Sequence, residues 1–236
     1  KIVYNSKLFY SQEAANSVRS IIFNKTGTNL PIIPDTESES PYEILVGDTN
    51  RQESSNVYTA YDRPNVYYTI KITGSKLLIV HQGKMSGDKA ISSFESYINE
   101  LSDTNCAITS DLNLSGDCKN EAYALCPADT DLRVMQSNLL FTEASTGYTY
   151  QQRAELIADI CLATLPDIIT FNECVNDISY RIADLINEYY TVDKAPFENV
   201  YDFSDLEDPR LGAFQGTPIA YRSDQYAVID SGFRLY

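Results

Sequence analysis

The chain opens on a strand-like segment, Lys1–Tyr4, and its apolar spacing then lengthens to that of a helix. From about Ser11 to Asn24 the apolar positions Ala14, Ala15, Val18, Ile21 and Ile22 fall on one helical face. Ser11 is placed to cap the N-terminus, Glu13 lies just inside it, and Gly27 ends the segment. Short apolar runs at Pro31–Ile33, Tyr42–Val46, Tyr67–Ile72 and Lys76–His81 predict strands. Thr73-Gly74-Ser75 joins the last two as a hairpin turn. A second helix is expected from about Ser86 to Leu101, with Ala90, Ile91, Phe94, Tyr97, Ile98 and Leu101 on one face.

The pattern resumes after a polar interval. Leu132–Phe141 alternates like a strand, and Gln151–Leu165 carries Ala154, Ile157, Ala158, Cys161 and Leu162 on one helical face. Pro166-Asp167 stops that helix ahead of the apolar strand Ile168–Phe171, which runs out at Asn172-Glu173. A helix over about Asn176–Tyr189 follows, and Ala227–Asp230 reads as an edge strand open to intermolecular pairing. Strand, helix, strand is the βαβ unit of an α/β layer fold. The expected organisation is an α/β unit over residues 1–102, a connector over 103–131 and a second α/β unit over 132–236.

With 236 residues, 43% of them apolar, the chain is long enough to bury a real core. It carries 33 acidic against 18 basic side chains, a formal charge of −15, which repels polyanions at long range and speaks against nonspecific nucleic-acid binding. No apolar run approaches the roughly 18 residues of a spanning helix. The opening KIVYNSKLFY lacks the basic-then-apolar design of a secretory signal, as the start of a mature secreted protein also does. Cys106, Cys118 and Cys126 cluster in the polar connector, where a local disulfide is expected; Cys161 and Cys174 sit in a helical and a strand context that suits buried thiols. Zinc is the rival reading of the cysteines, but no pair has two-residue spacing and the sole histidine, His81, is remote from them.

In the first unit, YEILVGDTNRQES (Tyr42–Ser54), then YTIKITGSKLLIVHQG and a helix from near Gly87, resemble the small α/β domain that precedes the catalytic barrel in glycoside hydrolase families 20 and 67. The resemblance implies an accessory role in packing or protein contact, with glycan binding as a further reading. Arg51 and Asp48 in the Gly-Asp-Thr-Asn-Arg turn are open to two roles, a ligand contact or a loop-stabilising ion pair.

In the second unit three segments occur in order: Ser137-Asn138-Leu139-Leu140, PDIITFNEC at Pro166–Cys174, and GTPIAYRSDQYAVIDSG at Gly216–Gly232. They resemble the endonuclease/exonuclease/phosphatase family. That resemblance implies the first half of an α/β/β/α sandwich and a phosphoesterase dependent on Mg²⁺, with Mn²⁺ or Ca²⁺ as substitutes. It makes Glu173 a metal ligand and has Asn138 orient a phosphate oxygen or join the metal's ligands. A hard cation of this kind takes one or two carboxylates and keeps several waters.

The family's Asp-x-Asn pair and closing Ser-Asp-His have no match before Tyr236, so a fragment with weak cation binding and no turnover of its own is expected. The expected partners are a phosphate-ester substrate for the complete protein, and a second chain or self-association contact over a sheet face left open. The expected setting is extracellular or cell-surface. The alternative is a structural, self-assembling protein that keeps the fold without catalysis.

Overall fold

The opening segment becomes an interior strand because both of its edges find partners. In the computed structural model, which describes residues 1–57, 64–102, 107–125, 131–139, 147–172, 176–193 and 218–229, β1 (Ile2–Tyr4) pairs in parallel with two neighbours. These are β2 (Ile32–Pro34) and β3 (Ile44–Val46). β5 (Lys76–His81) extends the parallel run beside β3. β4 (Tyr67–Thr73) and β6 (Asn113–Asp117) complete the sheet antiparallel, in the order β2-β1-β3-β5-β4-β6. The chain divides into two units, Lys1–Ala122 and Tyr123–Tyr236, and both are mixed α/β.

Ile2 and Val3 point to opposite faces of the first sheet and are both fully buried. On the face of Ile2 lie α1 (Phe9–Thr26) and α3 (Lys84–Glu100), whose Ala14, Ala15, Val18, Ala90, Phe94 and Ile98 form one core with Val46, Ile70 and Ile79. These are the helical faces that the spacing predicts. On the other face Val3, Leu45, Leu78 and Val80 cluster, with Ile33 and Val57 packed on them beside the short helix α2 (Gln52–Ser55). Gly27 ends α1 in the left-handed region at φ 71°, and its N–H reaches Phe23 O at 2.8 Å.

Two expectations shift in this unit. Ser11 does not cap α1, which begins two residues earlier; its Oγ donates to Val46 O and accepts from Asn5 N, both at 3.0 Å, so it ties the helix to the strands. Residues 113–117, read as connector, form β6. There Gly116 lies opposite Tyr68, whose hydroxyl crosses over it to Ser93 Oγ at 2.7 Å, and a Cβ at 116 would stand 2.5 Å from that hydroxyl. A short polar strand of this sort has no period to read. Helix α4 (Lys119–Leu125) follows it.

In the second unit β7 (Val134–Asn138) pairs in parallel with β8 (Ile168–Asn172). β10 (Ile219–Arg222) runs antiparallel to β8 and to β9 (Tyr190–Asp193), in the order β7-β8-β10-β9. Helices α5 (Tyr150–Thr164) and α6 (Asn176–Ile186) bury Ala154, Ala158, Cys161, Ile178, Ile182 and Ile186 against Ile169, Phe171 and Ala220. Thr149 caps α5, accepting from Gln152 N at 3.2 Å while its own N–H donates to Gln152 Oε1 at 3.0 Å. α6 stops at Ile186, short of the expected Tyr189, because Tyr190 enters the sheet and buries its ring, donating its hydroxyl to Pro166 O at 2.8 Å. Ala227–Ile229 is irregular where an edge strand was expected, and Asp230, Leu140 and Phe141 lie outside the described residues.

Candidate functional site

Parallel pairing of β7 with β8 brings their carboxyl ends together, with Asn138 opposite Asn172. Leu139 N–H then donates to Asn172 O at 2.9 Å, which holds the two chain ends side by side where they leave the sheet. Asn138 is exposed, on the sheet face that carries Val134 and Gln136. Glu173, the other expected site residue, is the next residue after Asn172 and lies outside the described residues, as does Cys174.

On the helix side of this strand end is a cavity of about 440 Å³, between Asn138, Leu139, Arg153, Leu156, Ile157, Ile160 and Ile178. Arg153 is the residue that sequence reasoning missed. Arg153 is 8% exposed, and its guanidinium donates from Nη1 to Leu139 O at 2.6 Å and stands 4.9 Å from the centre of the Tyr150 ring. The signal was present but faint: Arg153, Ile157 and Ile160 share one stripe of α5, so a basic residue sits on an apolar face. Behind it Glu155, 7% exposed, accepts from Arg181 at 2.8 Å.

This arrangement constrains where a cation fits. Aliphatic walls and a guanidinium make the cavity a poor place for a dication. Asn138 and Asn172 are paired in register at the strand ends, and an amide oxygen is the kind of neutral hard donor that suits one. Among the described residues no group of three or more His, Cys, Asp or Glu side chains is placed to hold a metal ion.

Thiol chemistry is not available at Cys161. Burial pushes the Cys161 thiol up to about 12, so it stays protonated at neutral pH. Cys118, one of the three in the expected disulfide region, is buried with its Sγ donating to Val66 O at 3.4 Å, and Cys106 and Cys126 lie outside the described residues.

The carboxyl ends of β1, β3 and β5 form the other natural place for a ligand. Polar groups gather there but mostly satisfy one another. The Asp35 carboxylate accepts from Ser6 N at 3.1 Å, Ser6 Oγ at 2.8 Å and Asn50 N at 2.9 Å, and Asn5 Nδ2 donates to Asp48 O at 2.7 Å. Burial pushes the Asp48 carboxyl up, nearby Asp35 adds to this, and a bond to Gln82 opposes it. Arg51 is buried and stabilises its loop, as one of its two expected roles has it, with Glu43 as partner and not Asp48. Its Nε stands 3.2 Å from Glu43 Oε2, and its guanidinium donates to Asp35 O and Glu37 O at 2.7 and 2.8 Å.

No protein-family model matches the chain, and no curated protein matches it.

Proposed function

We propose that the second unit is the first half of a divalent-metal-dependent phosphoesterase sandwich of the endonuclease/exonuclease/phosphatase type, acting on phosphodiesters or phosphomonoesters, with the first unit as its accessory domain. One observation carries this reading: the register that sets Asn138 opposite Asn172, one residue ahead of Glu173, at the carboxyl ends of two parallel strands. The strand order supports it too, since each of the three sequence segments of the resemblance contributes one strand, β7, β8 and β10, to the same sheet. In this reading Glu173 and Asn138 hold the cation, which when bound supplies charge stabilisation at a phosphoryl oxygen and an acidified water. Asn138 orients the phosphate oxygen, and the apolar cavity beside it receives part of the substrate that does not react.

Protein expressed from its complete reading frame should hydrolyse bis-p-nitrophenyl phosphate with Mg²⁺, and Glu173→Ala should abolish this; a folded protein without the activity refutes the proposal. In the 236-residue chain, Mn²⁺ should broaden the side-chain amide signals of Asn138 and Asn172 before others, and Glu173→Ala should remove that broadening.

A second reading has its own observation. Val134 and Ile219, on the sheet face away from α5 and α6, are 60% and 45% exposed, which suits a non-catalytic protein that assembles through this face, at a cell surface or outside it. Sedimentation separates the two, because a strictly monomeric chain at all concentrations contradicts assembly.

A further inference from the structure

His81 ends β5, is the only histidine of the chain and has no role in the proposed phosphoester chemistry. Its ring is 1% exposed. Nδ1 stands 3.0 Å from Gly83 O, so it carries the proton, and Nε2 is left as the lone-pair nitrogen with no hydrogen-bond partner. Two glycines wall the slot. A Cβ at Gly87 would stand 2.7 Å from ring atoms Cε1 and Nδ1; one at Gly47, whose φ is +79°, would stand 3.7 Å from Nε2 and 2.7 Å from Ser11 Oγ. The ring is thus gripped between the turn after β3 and the first turn of α3.

The loops that leave β1, β3 and β5 are tied together around this ring. Tyr10 donates its hydroxyl to Gln82 O at 2.8 Å, Ser11 donates to Val46 O at 3.0 Å, the Gln82 side chain bonds Asp48, and Gly83 N–H donates to Ser86 Oγ at 3.2 Å. We propose that His81 is an acid-triggered latch: proton uptake at Nε2 charges a ring that the glycine slot holds only when neutral, and its expulsion frees the first turn of α3 and the turn after β3, opening the carboxyl end of the parallel strands.

The charged groups that act on the ring are Asp88 and Lys84 from α3, while Asp48, in the turn after β3, is bonded to the Gln82 side chain. From α1, Tyr10 bonds Gln82 O and Ser11 lies against Gly47 beside the ring, and Tyr68 lies opposite His81 on β4. Burial opposes the charged ring most strongly and outweighs the attraction of Asp88, holding the imidazole down to about 4. The sign follows from linkage. Above about pH 6.5 both forms are neutral and the latch is fully shut; between roughly 6.5 and 4 only the opened form takes the proton, so opening grows about tenfold per unit of acidification.

The test pairs a ring NMR titration of this single histidine with hydrogen exchange by segment, corrected for intrinsic rates, between pH 7.5 and 4.5. Segments 47–51 and 82–90 should lose protection about tenfold per pH unit while the middle of α1 stays protected, and the ring should resist protonation near pH 6.5. His81→Gln should flatten that dependence, and Asp48→Asn should leave it in place. The proposal is overturned if the wild-type ring titrates near pH 6.5 with exchange unchanged, if His81→Gln keeps the same dependence, or if all segments of the unit open together. Where His81→Gln does not fold, the wild-type titration and its segment pattern decide alone.

Discussion

At the scale of single residues, the Glu43 carboxylate of the first unit is held by three cations. Its side chain is fully buried, and Arg51, Lys1 and Lys76 approach it at 3.2, 3.2 and 3.8 Å. Burial pushes this carboxyl up, but its bonds to Arg51 and Lys1 together outweigh that and hold it below the usual range. Removing one member of such a set strands the others, so Glu43→Gln should cost about 3–5 kcal/mol in urea unfolding. Replacing both partners, as Glu43→Leu with Arg51→Met, should cost less than the sum of the single changes, because most of the single-mutant loss is the stranded charge and not the worth of the pair. Cys161 makes a chemical prediction of the same kind. Wholly buried and protonated, it should resist iodoacetamide in the folded protein and react once urea unfolds the second unit; rapid labelling of the native thiol contradicts its placement.

At the scale of elements, α5 is fixed at both ends by identifiable devices. Thr149 and Gln152 exchange bonds at its start, and Leu165, at φ 46° the one described non-glycine residue with positive φ, closes its end with an N–H bond to Cys161 O at 2.8 Å. Thr149→Ala should therefore lower the stability of the second unit by about 1 kcal/mol, read as a shift in its urea midpoint, with Thr149→Asp largely neutral. Both long helical faces of the first unit were legible in the sequence, since a period of 3.6 repeats over many residues leaves little choice, as Ala14, Ala15 and Val18 show. Short elements were not legible. β6 exists because Tyr68 and Ser93 accommodate a glycine opposite them, and β9 because β10 offers Tyr190 a partner, so their cause lies in other segments. Ser11 misled for a related reason: a hydroxyl that looks like a cap is spent on Val46 O instead. Around the candidate site, the strand that ends at Asn138 was legible from local pattern, whereas the burial of Arg153 was not, because one basic residue near a helix start usually reads as solvated.

At the scale of the whole molecule, the decisive quantity is a net charge of −15 carried by 236 residues. Charges of one sign repel within a compact body, and that repulsion is relieved on unfolding, so part of the stability is withheld at low ionic strength. Salt should return it. The Debye length falls from about 10 Å at 0.1 M to about 3 Å at 1 M, which screens exposed acidic groups but hardly touches a buried set such as Glu43, Arg51 and Lys76. Raising NaCl from about 0.02 to 0.5 M should accordingly raise the melting temperature by a few degrees, since about 1 kcal/mol moves a unit of this size by roughly 4 °C. Glu43→Gln should show the same salt increment from a lower starting point, because the groups it strands are not the ones that salt screens. A melting temperature that falls with salt would mean that exposed ion pairs such as Lys89 with Glu121 and Arg222 with Asp224 outweigh the excess of acid, against both their exposure and the charge balance.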